Sequence, residues 1–459
     1  MRLGSELGFS DLDLADLYHA LLLKDVGCSS NAARMCQIIG GGDDRLVKSG
    51  VKLEDWTRPH RPSPAALRLL WNSVLPHEGP IRKAGRIIRI ALTQHTNNRE
   101  MIQMRCERGA SIVRKIGLSE QTALAVRALD EHWDGSGYPE RSTGTAIAPL
   151  ARVMAVAQHL DVFALERGPA MAMQVLRQRS GRWFDPEVVK AAESLHRKSA
   201  LWMHCLPSSS ESAVQSQRFA RSAVLDLAPP QIAGTSPSHI DSICEAFADV
   251  VDAKSHFTFS HSVGVTWVAS AIGDAMGLNP ERKQLLHRAA LVHDLGKLRV
   301  PNSILDKPGH LEADEWQVMR EHPGLTGSIL RRVKQFRELA FIAGAHHERL
   351  DGSGYPDHLC AEALPLEARI LAVADVYTAI IEDRPYRVGY SHEQAIEIMI
   401  REVPGRLDAD CFAALRNAAE ALNWNATSPA QPALVPSVLA YTSRGPNGID
   451  PAPSVSIAQ

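Results

Sequence analysis

"HSVGVTWVASAIGDAMGL", residues 261–278, places its apolar side chains at the spacing of an α-helix. Steps of three or four residues put one set of side chains on a single face: His261, Val265, Val268, Ile272 and Met276. Most periodic segments of the chain repeat this spacing, and the alternation typical of strands is hard to find. We therefore predict an all-α fold.

The composition is that of a soluble protein without a strong charge preference. The chain has 459 residues, enough for two domains, and its formal net charge of -2 gives no reason to expect DNA as a partner. No apolar run reaches the roughly 20 residues of a membrane span, and the N-terminal stretch does not resemble a signal peptide. The seven cysteines are scattered and form no C-x-x-C pair. We predict a cytoplasmic protein with reduced thiols.

Two halves of the chain share four segments in the same order. The clearest are ALLLKDVGC at 20–28 with AALVHDLGK at 289–297, and DGSGYP at both 134–139 and 351–356. A repeat of this length predicts a duplicated helical domain, that is, two tandem bundles.

The domain limits follow from two stretches rich in serine, proline and glycine that lack helical periodicity. We predict five parts: a first domain over 1–205, within it an insertion at about 41–82, a linker over 206–236, a second domain over 237–424 and a disordered tail over 425–459.

Histidines and acids gather beside the apolar segments of the second half. Taken singly, each could be a core histidine, a helix-start residue or a solvated side chain. Together they favour a metal cluster, because imidazole and carboxylate are the ligands of Fe, Mn, Zn and Ni, and one carboxylate can bridge two ions about 3.5–4 Å apart. Asp294 is the natural bridge. The predicted ligands are His261, His293, Asp294, His322, His346, His347 and Asp375.

Three motifs in order carry a family resemblance: HDLGK at 293–297, HHE followed by DGSGYP at 346–356, and ADVYTAIIEDRPYR at 374–387. They resemble the HD-GYP subgroup of the HD-domain phosphohydrolases over about residues 250–415. The resemblance implies a helical domain with two or three metal ions, often iron or manganese. It also implies hydrolysis of cyclic di-GMP to the linear dinucleotide pGpG or on to GMP.

The resemblance also assigns roles to single residues. The seven predicted ligands would hold the metal ions, Asp294 would serve catalysis, and Lys297 would contact the scissile phosphate. The remaining substrate contacts would come from Arg384, Arg387, Gly354 and Tyr355. The charge and fork geometry of arginine suit nucleotide phosphates.

Three positions depart from the pattern of this subgroup. Members with three metal ions carry a glutamate one turn before the first ligand histidine, where this chain has Phe257. We therefore expect two divalent ions, iron or manganese. Thr378 stands where many members have aspartate, and His310 where lysine is common. We assign these two departures no consequence.

The first half has lost the ligand residues. Asp25 is the counterpart of Asp294 and has the same side chain. The counterpart of His261 would lie before Met1. The others are replaced by residues of different chemistry: Lys24, Arg105, Leu129, Asp130 and Gln158. Two cations at ligand positions argue against a metal cluster, so we predict a degenerate domain. Lys24 and Arg105 suggest an anion pocket as a hypothesis.

The main function predicted is a metal-dependent phosphodiesterase in which a metal-bridging hydroxide attacks cyclic di-GMP. One alternative is hydrolysis of another cyclic dinucleotide such as cyclic GMP-AMP. The other is a signalling adaptor that binds nucleotide, or proteins such as diguanylate cyclases, with little catalysis. The complete ligand set favours an enzyme. The sequence does not decide whether the chain forms a homodimer.

Overall fold

The computed structural model describes residues 1–40, 64–75, 78–202, 221–230, 236–255, 261–307, 309–383 and 387–421. Within these ranges the regular elements are α-helices and short 3₁₀ turns, and β pairing is limited to isolated bridges. The predicted all-α fold is confirmed. None of the described helices is both long and apolar enough to cross a membrane.

The first half contains nine of the helices named here: α1 (Arg2–Glu6), α2 (Asp11–Leu23), α3 (Ser30–Ile39), α4 (Pro64–Ser73), α5 (Pro80–Lys115), α6 (Glu120–Arg127), α7 (Pro149–Arg167), α8 (Pro169–Arg179) and α9 (Pro186–Arg197).

The second half continues with α10 (Pro237–Asp252), α11 (His261–Ala275), α12 (Pro280–Val292), α13 (Asn302–Leu305), α14 (Ala313–Arg320), α15 (His322–Leu330), α16 (Arg337–Gly344), α17 (Leu366–Ile381), α18 (His392–Met399) and α19 (Ala409–Ala421).

The helix starts follow local sequence signals. Ser236 and Asn279 cap α10 and α12, because their side-chain oxygens accept backbone N–H groups of the first turn. Proline follows each cap at the first helical position, where its missing N–H costs nothing. These signals fix where the two helices before the metal-binding segments begin.

Two large hydrophobic cores form, one in each half. Residues between 3 and 201 make the first, and residues between 244 and 415 make the second. These cores support the predicted tandem bundles, while the domain limits stay a prediction. Of the predicted insertion, α4 and the start of α5 are described; the tail over 425–459 and most of the linker lie outside the described residues.

Helices α5 and α10 join the two halves. Arg108 on α5 donates to the carbonyl oxygen of Asp249 on α10 at 2.8 Å. Lys115, two turns further along α5, lies 2.8 Å from the Asp249 carboxylate. The second half therefore meets the first through the helix that leads toward His261.

The duplicated segments fold alike at the turn after α2 and α12. Asp25 and Asp294 have nearly the same backbone angles, φ -104° and ψ 7° against φ -94° and ψ 9°. A Cβ on Gly27 would lie 2.1 Å from a backbone oxygen of α5, and a Cβ on Gly296 2.0 Å from the His322 oxygen. Glycine is needed at both positions because another backbone passes within contact distance.

A buried glutamate holds each DGSGYP loop. Glu348 accepts two backbone N–H groups across its loop, at 2.7 and 3.0 Å, and Glu131 accepts two at 2.6 and 3.0 Å. Both glutamates are buried, with 2% and 3% exposure. The loop is therefore a unit that forms in both halves, whether or not ligand residues precede it.

Candidate metal centre in the second half

The predicted ligands come from several helices and converge in one place. His293 and Asp294 follow the end of α12, His346 and His347 follow α16, and Asp375 lies within α17. His261 and His322 are the first residues of α11 and α15. The structure thus brings together every side chain that the motifs single out as a ligand: His261, His293, Asp294, His322, His346, His347 and Asp375.

The Asp294 carboxylate lies at the middle of the cluster. Its Oδ1 atom is 3.3 Å from His322 Nε2 and 3.8 Å from His346 Nε2. Its Oδ2 atom is 3.4 Å from His293 Nε2 and 3.7 Å from His261 Nε2. Each oxygen therefore faces two imidazoles, as a carboxylate that bridges two ions would.

Asp375 supplies a second carboxylate. Its Oδ1 atom lies 3.2 Å from His261 Nε2 and 3.8 Å from His293 Nε2. Its Oδ2 atom lies 3.7 Å from His347 Nδ1. Together the two acids face all five imidazoles, and both acids face His261 and His293.

Three histidines are oriented by the helix that precedes each of them. The Nδ1 atoms of His293, His322 and His346 each lie 2.7 Å from the carbonyl oxygen three residues earlier. Carbonyl groups in the last turn of a helix lack helical partners, so they can accept these bonds. Since a carbonyl only accepts, Nδ1 carries the proton and the Nε2 lone pair points into the cluster.

The donor set fits divalent metal ions. His293 Nε2 and Asp294 Oδ1 are buried and have no hydrogen-bond partner in the described part of the chain. Burial of an unpaired acceptor is unfavourable, and a cation would satisfy both atoms. Three overlapping groups of ligand atoms lie within 4.8 Å of one another: His322 with His346 and His347, His261 with His293 and Asp375, and His293 with Asp294 and His346.

Electrostatics favour the protonation states that metal ligands need. Burial lowers the pKa of His346 to about 3, and the nearby His293 adds to the effect. Burial alone would raise the pKa of Asp294, but His293 and Lys297 outweigh it and hold that pKa well below its usual value. Neutral imidazole and charged carboxylate are the forms that coordinate metals.

His261 behaves differently from the other imidazoles. Burial alone would lower its pKa, but the carboxylates of Glu382 and Asp375 outweigh burial and raise it to about 10. A metal ion bound at Nε2 must therefore displace a proton from that atom.

Two of the predicted substrate residues, Lys297 and Tyr355, lie at the edge of the cluster. Lys297 Nζ is 2.6 Å from Asp294 Oδ2, and its side chain is 14% exposed. The Tyr355 ring lies 4.9 Å from the His347 ring. Gly354 is packed so closely that a Cβ would lie 2.4 Å from the backbone nitrogen of Arg349. The Tyr355 ring thus places the DGSGYP loop beside His347.

Of the two arginines predicted to bind phosphate, the structure describes Arg387. Arg387 donates to the carbonyl oxygens of Ala379 and Ile380, at 2.7 and 2.8 Å, at the end of α17. These contacts occupy part of its guanidinium group, and its role toward phosphate stays a prediction. Arg384 lies outside the described residues, as does Phe257.

Two side chains at the site were not predicted from the sequence. Glu382 Oε2 lies 2.8 Å from His261 Nδ1. The guanidinium carbon of Arg320 lies 4.7 Å from the centre of the Tyr355 ring. Glu382 stands two helical turns after Asp375, which is a weak signal for a shared helix face; for Arg320 the sequence offers none.

The matching place in the first half contains ion pairs. Arg105 pairs with Asp130, and Lys24 pairs with Asp25. No group of potential metal ligands was found among the described residues of this half. Each cation already has a carboxylate partner, which does not favour the hypothesis of an anion pocket.

We expect the substitution Arg105→Met to destabilise the protein. The side chains of Arg105 and Asp130 are 17% and 18% exposed, and removal of one partner of a buried ion pair costs about 3–5 kcal/mol. The double variant Arg105→Met with Asp130→Leu should recover most of this loss, because no charge is left unpaired. Thermal unfolding followed by circular dichroism measures both. Equal melting temperatures for the single variant and the wild type would contradict the expectation.

Comparisons with known proteins fit this geometry. The family model described as HD domain matches residues 84–188 and 245–411, one segment in each half. A "3'3'-cGAMP-specific phosphodiesterase 3" of Vibrio cholerae is 37% identical over 423 residues, which are 91% of this chain and 88% of that protein.

Two further proteins extend the comparison. A cyclic di-GMP phosphodiesterase response regulator of Xanthomonas campestris is 42% identical over 150 residues, 32% of this chain and 40% of that protein. A crystal structure of a cyclic GMP-AMP specific phosphodiesterase of Vibrio cholerae matches with a TM-score of 0.57 at 33% identity, covering 92% of this chain and 90% of that one. Both halves thus have counterparts in a solved structure.

Proposed function

Because the chain belongs to the HD domain family, and within it to the HD-GYP type, we propose that it is a metal-dependent phosphodiesterase of cyclic dinucleotides. The observation that carries this proposal is the buried cluster around Asp294, with Lys297 at its edge. Five imidazoles and two carboxylates in one place are more than the packing of a helical bundle requires.

We propose that the cluster holds two divalent ions, iron or manganese, through the seven side chains described above. Bound ions of this kind act as Lewis acids, which lower the pKa of water and offset charge on a phosphodiester. The two central carboxylates support two ions, since each has both oxygens facing imidazoles.

The chain's own residues bind and position the substrate. Asp294 accepts a hydrogen bond from Lys297, so the ammonium group is held at the edge of the centre. From there it can contact a phosphate oxygen and stabilise the charge that develops during cleavage. The DGSGYP loop, with Gly354 and Tyr355, covers the side next to His347. Arg384 and Arg387 are proposed to hold the phosphates.

Two cyclic dinucleotides are candidate substrates. Cyclic di-GMP is the main one, and the Xanthomonas campestris relative that matches part of the chain is named for it. A specific observation favours 3'3'-cGAMP as the second candidate: the relative named for it aligns with both halves of this chain.

The test is a turnover assay with the full chain, purified under reducing conditions and loaded with iron or manganese. We expect at least one of the two cyclic dinucleotides to be converted to the linear dinucleotide or to mononucleotides. Chelation of the metal ions should abolish this activity completely. Chromatography identifies the products, and elemental analysis should give two ions per chain. Binding without product would support the adaptor alternative, and three ions per chain would refute the two-ion proposal.

The wider biological setting remains a set of proposals. These are a cytoplasmic location, diguanylate cyclase-type partners and a homodimer. Among the described residues, Cys106, Cys244, Cys360 and Cys411 form no disulfide, which supports a reducing compartment.

A further inference from the structure

His261 differs from the other oriented imidazoles in the partner of its Nδ1 atom. His293, His322 and His346 use a backbone carbonyl of the preceding helix. His261 begins α11, and its Nδ1 atom faces the Glu382 carboxylate at 2.8 Å. The Glu382 carboxylate therefore orients the His261 ring, as backbone carbonyl groups orient the rings of the other three histidines.

We propose that Glu382 is the positioning residue of His261, which sets the proton on Nδ1 and strengthens Nε2 as a metal ligand. This inference rests on the proposed metal centre. A carboxylate behind a metal-binding histidine fixes the tautomer and ring orientation and raises the basicity of the ligand.

Glu382 lies at the end of α17, where its side chain can reach His261. Glu382 follows the last residue of the helix, and its backbone N–H still bonds to Thr378 one turn earlier. A Cβ on Gly264 of α11 would lie 3.7 Å from Glu382 Oε1 and 3.1 Å from Thr378 Cγ2. The small residue at 264 thus lets α17 approach the ligand helix closely enough for the carboxylate to reach the imidazole.

The Thr378 hydroxyl is bonded within its own helix, so Glu382 is the residue that orients His261. The Thr378 hydroxyl donates to the carbonyl oxygen of Ala374, within its own helix, at 2.8 Å. The Glu382 side chain is 19% exposed, so its charge is only partly screened by water. The carboxylate that faces this edge of His261 therefore comes from position 382, where the sequence motifs predict no site residue.

Glu382 is placed to orient the ligand and not to bind the ion itself. His261 Nε2 faces Asp375 at 3.2 Å, whereas Nδ1 faces Glu382 on the opposite edge of the ring. The helix α17 thus contributes a carboxylate to each edge of one imidazole, one on the metal side and one behind it.

The test compares Glu382→Ala, Glu382→Gln and Asp383→Ala in the full chain. Asp383 is a matched control, because it is the neighbouring acid and accepts the Gly389 N–H at 2.8 Å without contact to His261. We expect Glu382→Ala to weaken binding of Mn²⁺, measured by chelator competition, by about 10–100-fold. Glu382→Gln keeps an acceptor for Nδ1–H and should lose less, and Asp383→Ala should bind like the wild type.

A second readout is independent of activity. Long-range ¹H–¹⁵N spectra of the metal-free protein with labelled histidine, recorded at alkaline pH where the His261 imidazole is neutral, report which ring nitrogen of His261 carries the proton. In Glu382→Ala we expect the preference for Nδ1–H to be lost. Circular dichroism checks folding, and if the alanine variant does not fold, the glutamine variant decides.

Two results would overturn the inference. One is unchanged Mn²⁺ affinity together with an unchanged His261 tautomer in Glu382→Ala. The other is the loss of a whole ion per chain in Glu382→Gln, which would make Glu382 a ligand. If the wild type binds metal but hydrolyses no cyclic dinucleotide, the proposed function fails while these measurements still decide the role of Glu382.

Discussion

Replacement of His293 and Asp294 by alanine is expected to abolish turnover of cyclic dinucleotides while the helices stay folded. Asp294 faces four imidazoles within 3.8 Å, more than the other carboxylate of the cluster does, so its loss removes the central ligand. Metal ions contribute several kcal/mol to such reactions, and a loss of about 4 kcal/mol corresponds to a factor of about 10³ in rate. The measurement is product formation under saturating metal, with circular dichroism as the check on folding.

The matched control is Asp25→Ala in the first half. Asp25 has nearly the same backbone geometry as Asp294, but it pairs with Lys24 and faces no imidazole cluster. Its substitution should leave turnover and metal content unchanged. Activity that survives in the His293→Ala, Asp294→Ala variant would refute the assignment of the active site.

The substitution Gly296→Ala is expected to have the second largest effect. Its Cβ would lie 2.0 Å from the His322 carbonyl oxygen, so the backbone of a metal ligand must move. Overpacking of this kind costs about 1–3 kcal/mol in stability, and a shift of about 1 Å near the chemistry can cost about 10²-fold in rate. Metal content and turnover should fall together.

Gly27→Ala supplies the control for this second variant. A Cβ there would lie 2.1 Å from the Arg105 carbonyl oxygen, so the strain is similar, but the described residues of the first half contain no ligand cluster to disturb. Both variants should melt at lower temperature, and only Gly296→Ala should lose metal. Equal metal loss in both would show that the effect is on folding in general.

Much of the fold and of the ligand set could be predicted because the signals are local. Helical spacing in 261–278 predicts a helix, and the structure has one over His261–Ala275. The three motifs contain five of the seven predicted ligands that meet, since each motif places its ligands at a helix end or on one helix face.

The residues that were missed depend on how helices pack against each other. Glu382 becomes relevant because α17 crosses α11 at Gly264, and no local pattern reports that crossing. Arg320 meets Tyr355 because α14 lies beside the DGSGYP loop. Arg387, predicted from its charge, also bonds to the end of α17, a contact that a sequence motif does not reveal.

The glutamate behind each DGSGYP loop has a consequence for evolution. Glu131 and Glu348 hold the backbone just after each hexapeptide through bonds at matching positions, so the loop has a structural role that does not depend on metal ligands. The hexapeptide therefore records common ancestry, not present activity. Within this chain the pair of residues directly before the glutamate, Leu129 and Asp130 or His346 and His347, distinguishes the two copies better than the hexapeptide does.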